Sequence, residues 1–356
     1  MTYAIAAAGT GGHVYPALAV GQALLRRGVA PGEVLFIGGH RIEKKVIPAA
    51  GFPLLSLDLR GLERRLTARN LTLPWTILRA VGAIRREMNR RRIGVMLGVG
   101  GYATVPAAWA ARRQRVPVMI HEQNAIAGLA NRLTGRFAAR VFGSFPSTTN
   151  LPKAEWVGNP LRAELADFDR SSLRREALAR YGLAEGQPVV GLLGGSLGAG
   201  VLNQAAGRLV RKWSGPPISL IQLAGRDSVA VSEDRSLVCL RVVPFEERMD
   251  LFYAATDLVI GRSGGSVAEL TATGTPSILV PGRFGSGGHQ AANADMLTGR
   301  GAALTIPEEE VDRLTEVVSG LVFDRTRLQA MSAACLTLAK RDAADVMAAA
   351  MTESHV

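Results

Sequence analysis

The chain has 356 residues, 47% of them apolar but only 5% aromatic, and a formal net charge of +12. That length suits two domains of ordinary size, and so apolar a chain is not a disordered one. Cys239 and Cys335 have no CxxC or His-rich neighbours, so neither a disulfide framework nor a cysteine zinc site is supported.

No apolar run reaches the ~20 residues of a membrane span, and no basic leader with a cleavage site opens the chain, so the cytosol is the expected compartment. The charge is lopsided. Residues 1–157 hold 22 Lys+Arg against 7 Asp+Glu, a net +15, whereas 158–356 hold 20 against 23, a net −3. Such asymmetry locates an anionic partner on the first half: nucleic acid, an anionic membrane surface or a phosphorylated substrate.

In chain order, "YAIAAA" (Tyr3–Ala8) predicts a buried strand and "GTGGHVYP" (Gly9–Pro16) a glycine-rich turn into a helix. Pro16 is expected in the first turn, where its missing N–H costs nothing. The amides and dipole of such a helix start suit an anion. The spacing matches neither GxGxxG nor GxxxxGK[ST], and a tight turn needing small residues is the plain alternative. His13 is either structural or a base, since neutral imidazole is the usual proton acceptor near pH 7. "VLFIGG" (Val34–Gly39) predicts a second strand. "LTLPWTILRAVGAIRREMNRRR" (Leu71–Arg92) predicts a basic amphipathic helix with Trp75 near its start: a surface leaning on anionic lipid, or a solvated outer helix. No helix-turn-helix, zinc or RNP motif accompanies the charge, so nucleic acid is not expected. "GVMLGVGG" (Gly94–Gly101) and "VPVMIHEQ" (Val116–Gln123) are further strands, leading to Tyr102 and to "HEQN" (His121–Asn124). Continuous apolar runs without alternation fit a parallel sheet covered on both faces.

"EWVGNPLR" (Glu155–Arg162) reads as a hinge, after which strand, glycine turn and helix recur. "GGSLGAGVLN" (Gly194–Asn203) offers amides and the Ser196 hydroxyl to a phosphate. "GRSGGSVAEL" (Gly261–Leu270) places Glu269 one turn into a helix, within reach of a ribose; the alternative is an ordinary glutamate at the dipole's positive end. "GSGGHQAANA" (Gly285–Ala294) presents His289, Gln290 and Asn293, groups suited to sugar hydroxyls. "DFD" (Asp167–Asp169) matches a metal-binding DxD, but it lies in a charged helix-like stretch rather than after a strand. No metal or cofactor is expected. The fold class is α/β: two Rossmann-like doubly wound parallel-sheet domains, residues 1–160 and 161–342, with a last helix at about 343–356 that could pack back on the first. A crevice shared by the two is the simplest place for these loops.

"GTGGHVYPALA", "GVGGYATVPA", "HEQNAIAGLANR", "GNPLR", "GGSLGA", "RSGGSVAEL" and "HQAANA", in this order, resemble the MurG-type N-acetylglucosaminyltransferases of peptidoglycan synthesis, over about Ala4 to Leu297. The resemblance implies the GT-B glycosyltransferase fold. It also implies inverting transfer of N-acetylglucosamine from UDP-GlcNAc to the muramyl 4-hydroxyl of undecaprenyl-pyrophosphoryl-MurNAc-pentapeptide (lipid I), giving lipid II, by a peripheral protein at the cytoplasmic face of the cell membrane. The alternatives are a GT-B transferase with another lipid or aglycone acceptor and a UDP-sugar epimerase.

By the same resemblance, Thr10, Gly11 and Gly12 lie near the donor phosphates and the acceptor diphosphate, and His13 is the candidate base. Asn124 and Arg162 match donor-binding positions, Ser196 the phosphate-contacting serine, Glu269 the ribose-binding glutamate and Gln290 the glutamine at the sugar hydroxyls. Tyr102 and Glu122 are acceptor-side neighbours, and Gly195, Glu246, Gly265 and Asn293 further donor positions. The chain departs from the pattern at Ala8, usually glycine, and at Leu197, commonly glutamine. "RSGGSVAEL" is one residue short, and Glu246 replaces an apolar residue whose backbone meets uracil. Nothing in the sequence indicates an oligomeric state.

Overall fold

The computed structural model describes residues 2–58, 73–151, 153–195, 198–226, 228–282 and 288–354. They form two compact units, 1–162 with 341–356, and 163–340.

The first unit runs β1 (Thr2–Ala6), α1 (Gly11–Arg26), β2 (Val34–Gly38), α2 (Glu43–Ala49), β3 (Leu54–Ser56), α3 (Leu73–Arg91), β4 (Ile93–Gly98), α4 (Thr104–Arg113), β5 (Val118–Glu122), α5 (Leu129–Thr134), β6 (Arg140–Gly143) and β7 (Glu155–Trp156). Its strands lie in the order β3-β2-β1-β4-β5-β6-β7, all parallel. The second unit runs α6 (Ala163–Ala166), α7 (Arg170–Arg180), β8 (Val189–Leu193), α8 (Gly200–Lys212), β9 (Ile218–Leu223), β10 (Val231–Asp234), β11 (Val238–Val243), α9 (Met249–Ala255), β12 (Leu258–Gly261), α10 (Ser266–Thr273), β13 (Ser277–Leu279), α11 (His289–Thr298), β14 (Ala303–Thr305), α12 (Leu314–Ser319) and α13 (Arg325–Thr337). The order there is β10-β11-β9-β8-β12-β13-β14, parallel except for the edge hairpin β10–β11. The last helix, α14 (Ala343–Glu353), belongs to the first unit and packs on α1.

Side-chain alternation along β1 explains why both sheet faces are covered. Tyr3 and Ile5 join Val14, Ala17, Met347 and Met351 in one core, on the α1 and α14 face. Ala4 and Ala6 point the other way, into a core with Ala80, Val81, Ile84 and Met88 of α3 and Ala107 and Ala111 of α4. The alanines leave the space that α3 and α4 fill. In the second unit Gly191 of β8 does the same for α9, since a Cβ there would come within 2.6 Å of the Phe252 ring. Each fully buried Leu, Ile, Phe or Met contributes roughly 1.5–3 kcal/mol through burial.

One local expectation is corrected. Pro16 is the sixth residue of α1, in its second turn, so the Gly12 carbonyl lacks its i+4 donor. Thr10, extended at φ −120° and ψ 164°, sets the earlier start. The 155–162 segment, read as a hinge, leads up to the boundary of the two units after Arg162: Glu155–Trp156 forms β7, the Trp156 indole donates to the Ser144 carbonyl at 3.1 Å, and Val157 and Leu161 are buried. Asp169 of the DFD stretch caps α7, accepting from the Ser171 amide at 3.0 Å and its hydroxyl at 2.7 Å.

Candidate functional site

Among the parallel strands of each sheet the order reverses once, between β1 and β4 and between β8 and β12. Open α/β sheets bind ligands beyond the carboxyl ends of strands at such a point, where neighbouring loops diverge and leave a crevice. Loops 7–10 and 99–103 flank the reversal in the first unit, and residues 194–195, 198–199 and 262–265 flank it in the second.

At the first reversal Gly9 has φ +112°, a conformation that L side chains rarely adopt, and it turns the chain into α1. Thr10 is the N-cap residue, yet its hydroxyl makes no cap bond to α1 and lies 3.4 Å from His13 Nδ1. Gly11 and Gly12 form the first helical turn, with Gly12 exposed. The His13 ring fits because residue 100 is glycine, at φ +85°: a Cβ there would stand 2.7 Å from His13 Cδ2 and 3.0 Å from Nε2. Burial lowers the His13 pKa, against a smaller opposing pull from the Glu122 charge, so the imidazole is neutral at pH 7. A neutral ring at the mouth of a crevice can accept a proton.

Behind His13 lies a buried polar chain that sequence reading missed. Gln123 Nε2 donates to the Val99 carbonyl at 2.7 Å and sits 3.4 Å from His121 Nδ1, while His121 Nε2 lies 2.9 Å from the Gly158 carbonyl. A carbonyl only accepts, so the His121 proton is on Nε2 and Nδ1 receives the amide of Gln123. Burial pushes the His121 pKa down to about 4.

Glu122 is held by its own loop. Its carboxylate is buried: Oε1 accepts from the Asn124 amide (3.0 Å) and Asn124 Nδ2 (3.1 Å), and Oε2 from the Gly128 amide (3.0 Å) and Asn131 Nδ2 (2.9 Å). It ties the 122–131 loop together, which fixes the Asn124 side chain. The Tyr102 hydroxyl donates to Glu43 Oε1 at 3.3 Å. Arg162, the last residue of this unit's first stretch, stacks its guanidinium 5.5 Å from the Tyr15 ring, two residues beyond His13.

At the second reversal Gly195 has φ +84° and Gly198 φ +74°. A Cβ on Gly198 would meet the Ala224 carbonyl at 2.2 Å. Ser196 and Leu197 lie outside the described residues. α8 starts at Gly200 with no side-chain cap on its amides. Gly265 is the N-cap of α10, and Glu269 sits in that helix's first turn, its Oε2 accepting from the buried Tyr253 hydroxyl at 2.8 Å.

Gln290 Oε1 accepts from the Gly282 amide at 2.7 Å, and its carbonyl accepts from the Ser263 hydroxyl at 2.6 Å. Asn293 is fully buried and donates to the Ser263 carbonyl at 2.9 Å, so its side chain staples α11 to the 262–265 loop. Glu246 is likewise internal: it receives a bidentate Arg180 (2.8 and 2.9 Å), the Tyr181 hydroxyl (2.9 Å) and the Arg248 amide (2.9 Å). These four donors hold the buried carboxylate in place. Among the described residues no group of three His, Cys, Asp or Glu side chains could hold a metal ion.

Two doubly wound sheets in one chain, each with glycine-lined helix starts at its strand-order reversal, define a GT-B glycosyltransferase fold. The model of the glycosyltransferase family 28 N-terminal domain matches residues 3–143, and that of its C-terminal domain residues 189–347. The chain belongs to the family of UDP-N-acetylglucosamine–N-acetylmuramyl-(pentapeptide) pyrophosphoryl-undecaprenol N-acetylglucosamine transferases. It is 40% identical to the Halorhodospira halophila protein of that name over 98% of this chain and 96% of the relative, and 38% identical to that of Clavibacter michiganensis over 97% and 94%. The crystal structure of Acinetobacter baumannii MurG superposes with a TM-score of 0.78 at 26% identity, covering 99% of this chain and 100% of that one. A UDP-GlcNAc 2-epimerase from Neisseria meningitidis shares the fold at a TM-score of 0.67 and 12% identity, covering 99% and 100%.

Proposed function

We propose that this chain transfers N-acetylglucosamine from UDP-GlcNAc, with inversion, to the muramyl 4-hydroxyl of undecaprenyl-pyrophosphoryl-MurNAc-pentapeptide, forming lipid II for peptidoglycan. The observation that carries the reading is the end-to-end identity of 35–40% with transferases named for that reaction. His13 accepts the proton of the attacking hydroxyl as the anomeric carbon parts from the diphosphate. Negative charge then grows on the leaving UDP, and the uncapped amides at the Gly200 start of α8, with the helix dipole, are oriented in advance to meet it. Glu269 holds the ribose hydroxyls, and Gln290, Asn124 and Arg162 hold the sugar and its phosphates.

The lipid-linked acceptor calls for a membrane-facing surface. Trp75 (60% exposed) and Leu78 (53%) on α3, Trp109 (41%) on α4, and Leu129 (60%) and Leu133 (41%) on α5 are large apolar side chains left in solvent. α4 packs against both α3 and α5, and Arg79 and Arg113 stack on Trp75 and Trp109. The opposite edge of α3, from Ala80 to Met88, is core. The helix is thus an outer layer of the sheet and also offers a basic, apolar-tipped surface to anionic lipid. No described helix is long and apolar enough to cross a membrane. We place the protein peripherally on the cytoplasmic leaflet.

Incubation with UDP-GlcNAc and a lipid I analogue, following UDP release and the disaccharide product, tests the reading. Release only with a diacylglycerol or an aglycone would move it to another acceptor class. Isomerised or free sugar without any acceptor would make it an epimerase.

A further inference from the structure

At the carboxyl end of β2, "GGHRIE" (Gly38–Glu43) brings a carboxylate back over the strand it follows. Glu43 is completely buried. Its Oε1 accepts from the Gly39 amide at 2.9 Å and from the Tyr102 hydroxyl at 3.3 Å. The space around this pair is made by glycine. A Cβ on Gly39 would lie 2.0 Å from the Tyr102 hydroxyl and 2.9 Å from Glu43 Oε1, and one on Gly38 would lie 3.0 Å from Glu43 Cγ. Tyr102 in turn passes 3.8 Å from where a Gly9 side chain would begin.

The rest of the 99–103 loop is pinned just as closely. A Cβ on Gly101 would meet the Ala8 carbonyl at 2.2 Å, Gly100 abuts the His13 ring, and the Thr104 hydroxyl donates to the Gly100 carbonyl at 2.8 Å. Residues 59 positions apart therefore meet across the ends of β2, β1 and β4. Only one link in this arrangement comes from a charged side chain remote from the loops themselves.

We infer that Glu43 is a positioning residue for the acceptor: it fixes Tyr102, and through Tyr102 the loop that faces His13, so that the attacking hydroxyl meets a preset wall. The inference rests on the transferase reading above, which puts Tyr102 on the acceptor side. Glu43 does not touch the acceptor. Its Oε2 is buried with no hydrogen-bond partner among the described residues, so replacing that oxygen by an amide nitrogen loses no bond. Oε1, the working atom, survives in glutamine. Glu43→Gln is therefore the conservative rescue and Glu43→Ala the loss.

Steady-state kinetics with UDP-GlcNAc and a lipid I analogue, with calorimetric UDP titration, tests this. Glu43→Ala and Tyr102→Phe should each raise the acceptor KM by about fivefold to tenfold, as expected for one lost hydrogen bond in a preset loop. The donor KM and UDP affinity should move less than about twofold in either variant, because neither Glu43 nor Tyr102 is among the residues proposed to hold the donor. The double variant should be no worse than about twofold beyond the single ones, since both remove one interaction, and Glu43→Gln should stay close to wild type.

Multiplying effects in the double variant, equal rises in both KM values, or a Gln variant as poor as the Ala one would each overturn the inference in favour of a merely structural glutamate. Should Glu43→Ala not fold, Tyr102→Phe and Glu43→Gln decide alone: an unchanged acceptor KM in the former, or a raised one in the latter, overturns it. A wild-type protein that releases no UDP with this acceptor would remove the transferase reading and the inference together. An active wild type with unaffected variants would remove the inference only.

Discussion

The Tyr253 hydroxyl donates to Glu269 Oε2 at 2.8 Å from within the core of the second unit, where Tyr253 is completely buried. A carboxylate so anchored keeps one orientation at the start of α10, ready for a bidentate partner.

Tyr253→Phe removes only that hydroxyl, so UDP should bind about fivefold to tenfold more weakly, the equivalent of one hydrogen bond of about 1 kcal/mol. Glu269→Ala, which would delete the proposed ribose contact itself, should weaken UDP by about a hundredfold. Titration calorimetry checks both. Equal UDP affinity in wild type and Glu269→Ala would remove Glu269 from the donor site.

His13→Ala should lower turnover by ~10²–10⁴ while UDP affinity stays within about twofold. Because burial lowers the His13 pKa, the reactive neutral form persists below the ordinary value of 6.5. The rate falls as pH drops through the lowered value, so the acid limb of the profile should have its midpoint below 6.5. An unchanged acid limb in the His13→Ala variant would assign it to another group.

His121 makes stability depend on pH. Its pKa is about 4 in the folded protein against 6.5 for an unhindered histidine, so the unfolded chain binds the extra proton between those values. Stability due to this group is complete above 6.5, declines by roughly 3 kcal/mol as pH falls to about 4, and then levels. Urea unfolding from pH 7 to pH 4 should show that slope, and His121→Gln should flatten it. An undiminished slope in the variant would put the dependence elsewhere.

Trp75→Ala combined with Leu78→Ala should weaken binding to phosphatidylglycerol vesicles by about tenfold or more, since both side chains would otherwise leave water. Wild-type binding should also fall as salt rises from 50 to about 300 mM, because the arginines of α3 act through screened charge. Co-sedimentation measures both. Binding indifferent to salt and to these substitutions would place the membrane surface elsewhere.

The sequence by itself determined the plan of both sheets. Runs such as "YAIAAA" and "VLFIGG" are apolar at every position, which only a strand buried on both faces needs, and glycines where φ turns positive, as at Gly9 and Gly195, mark its exits. Short strands escaped notice for a physical reason: β7 has two residues and one charge, β3 and β14 have three residues, and β10 reads "VSED", so pairing rather than composition makes them strands.

Tertiary structure alone decided what the carboxylates do. Glu122, Glu246 and Glu269 look alike in a string of letters. The first is saturated by the loop that it closes, the second by Arg180 and Tyr181 from 65 or more positions away, and the third is held from one side by Tyr253. A carboxylate's role depends on which donors reach it, and the fold brings those donors from distant parts of the chain.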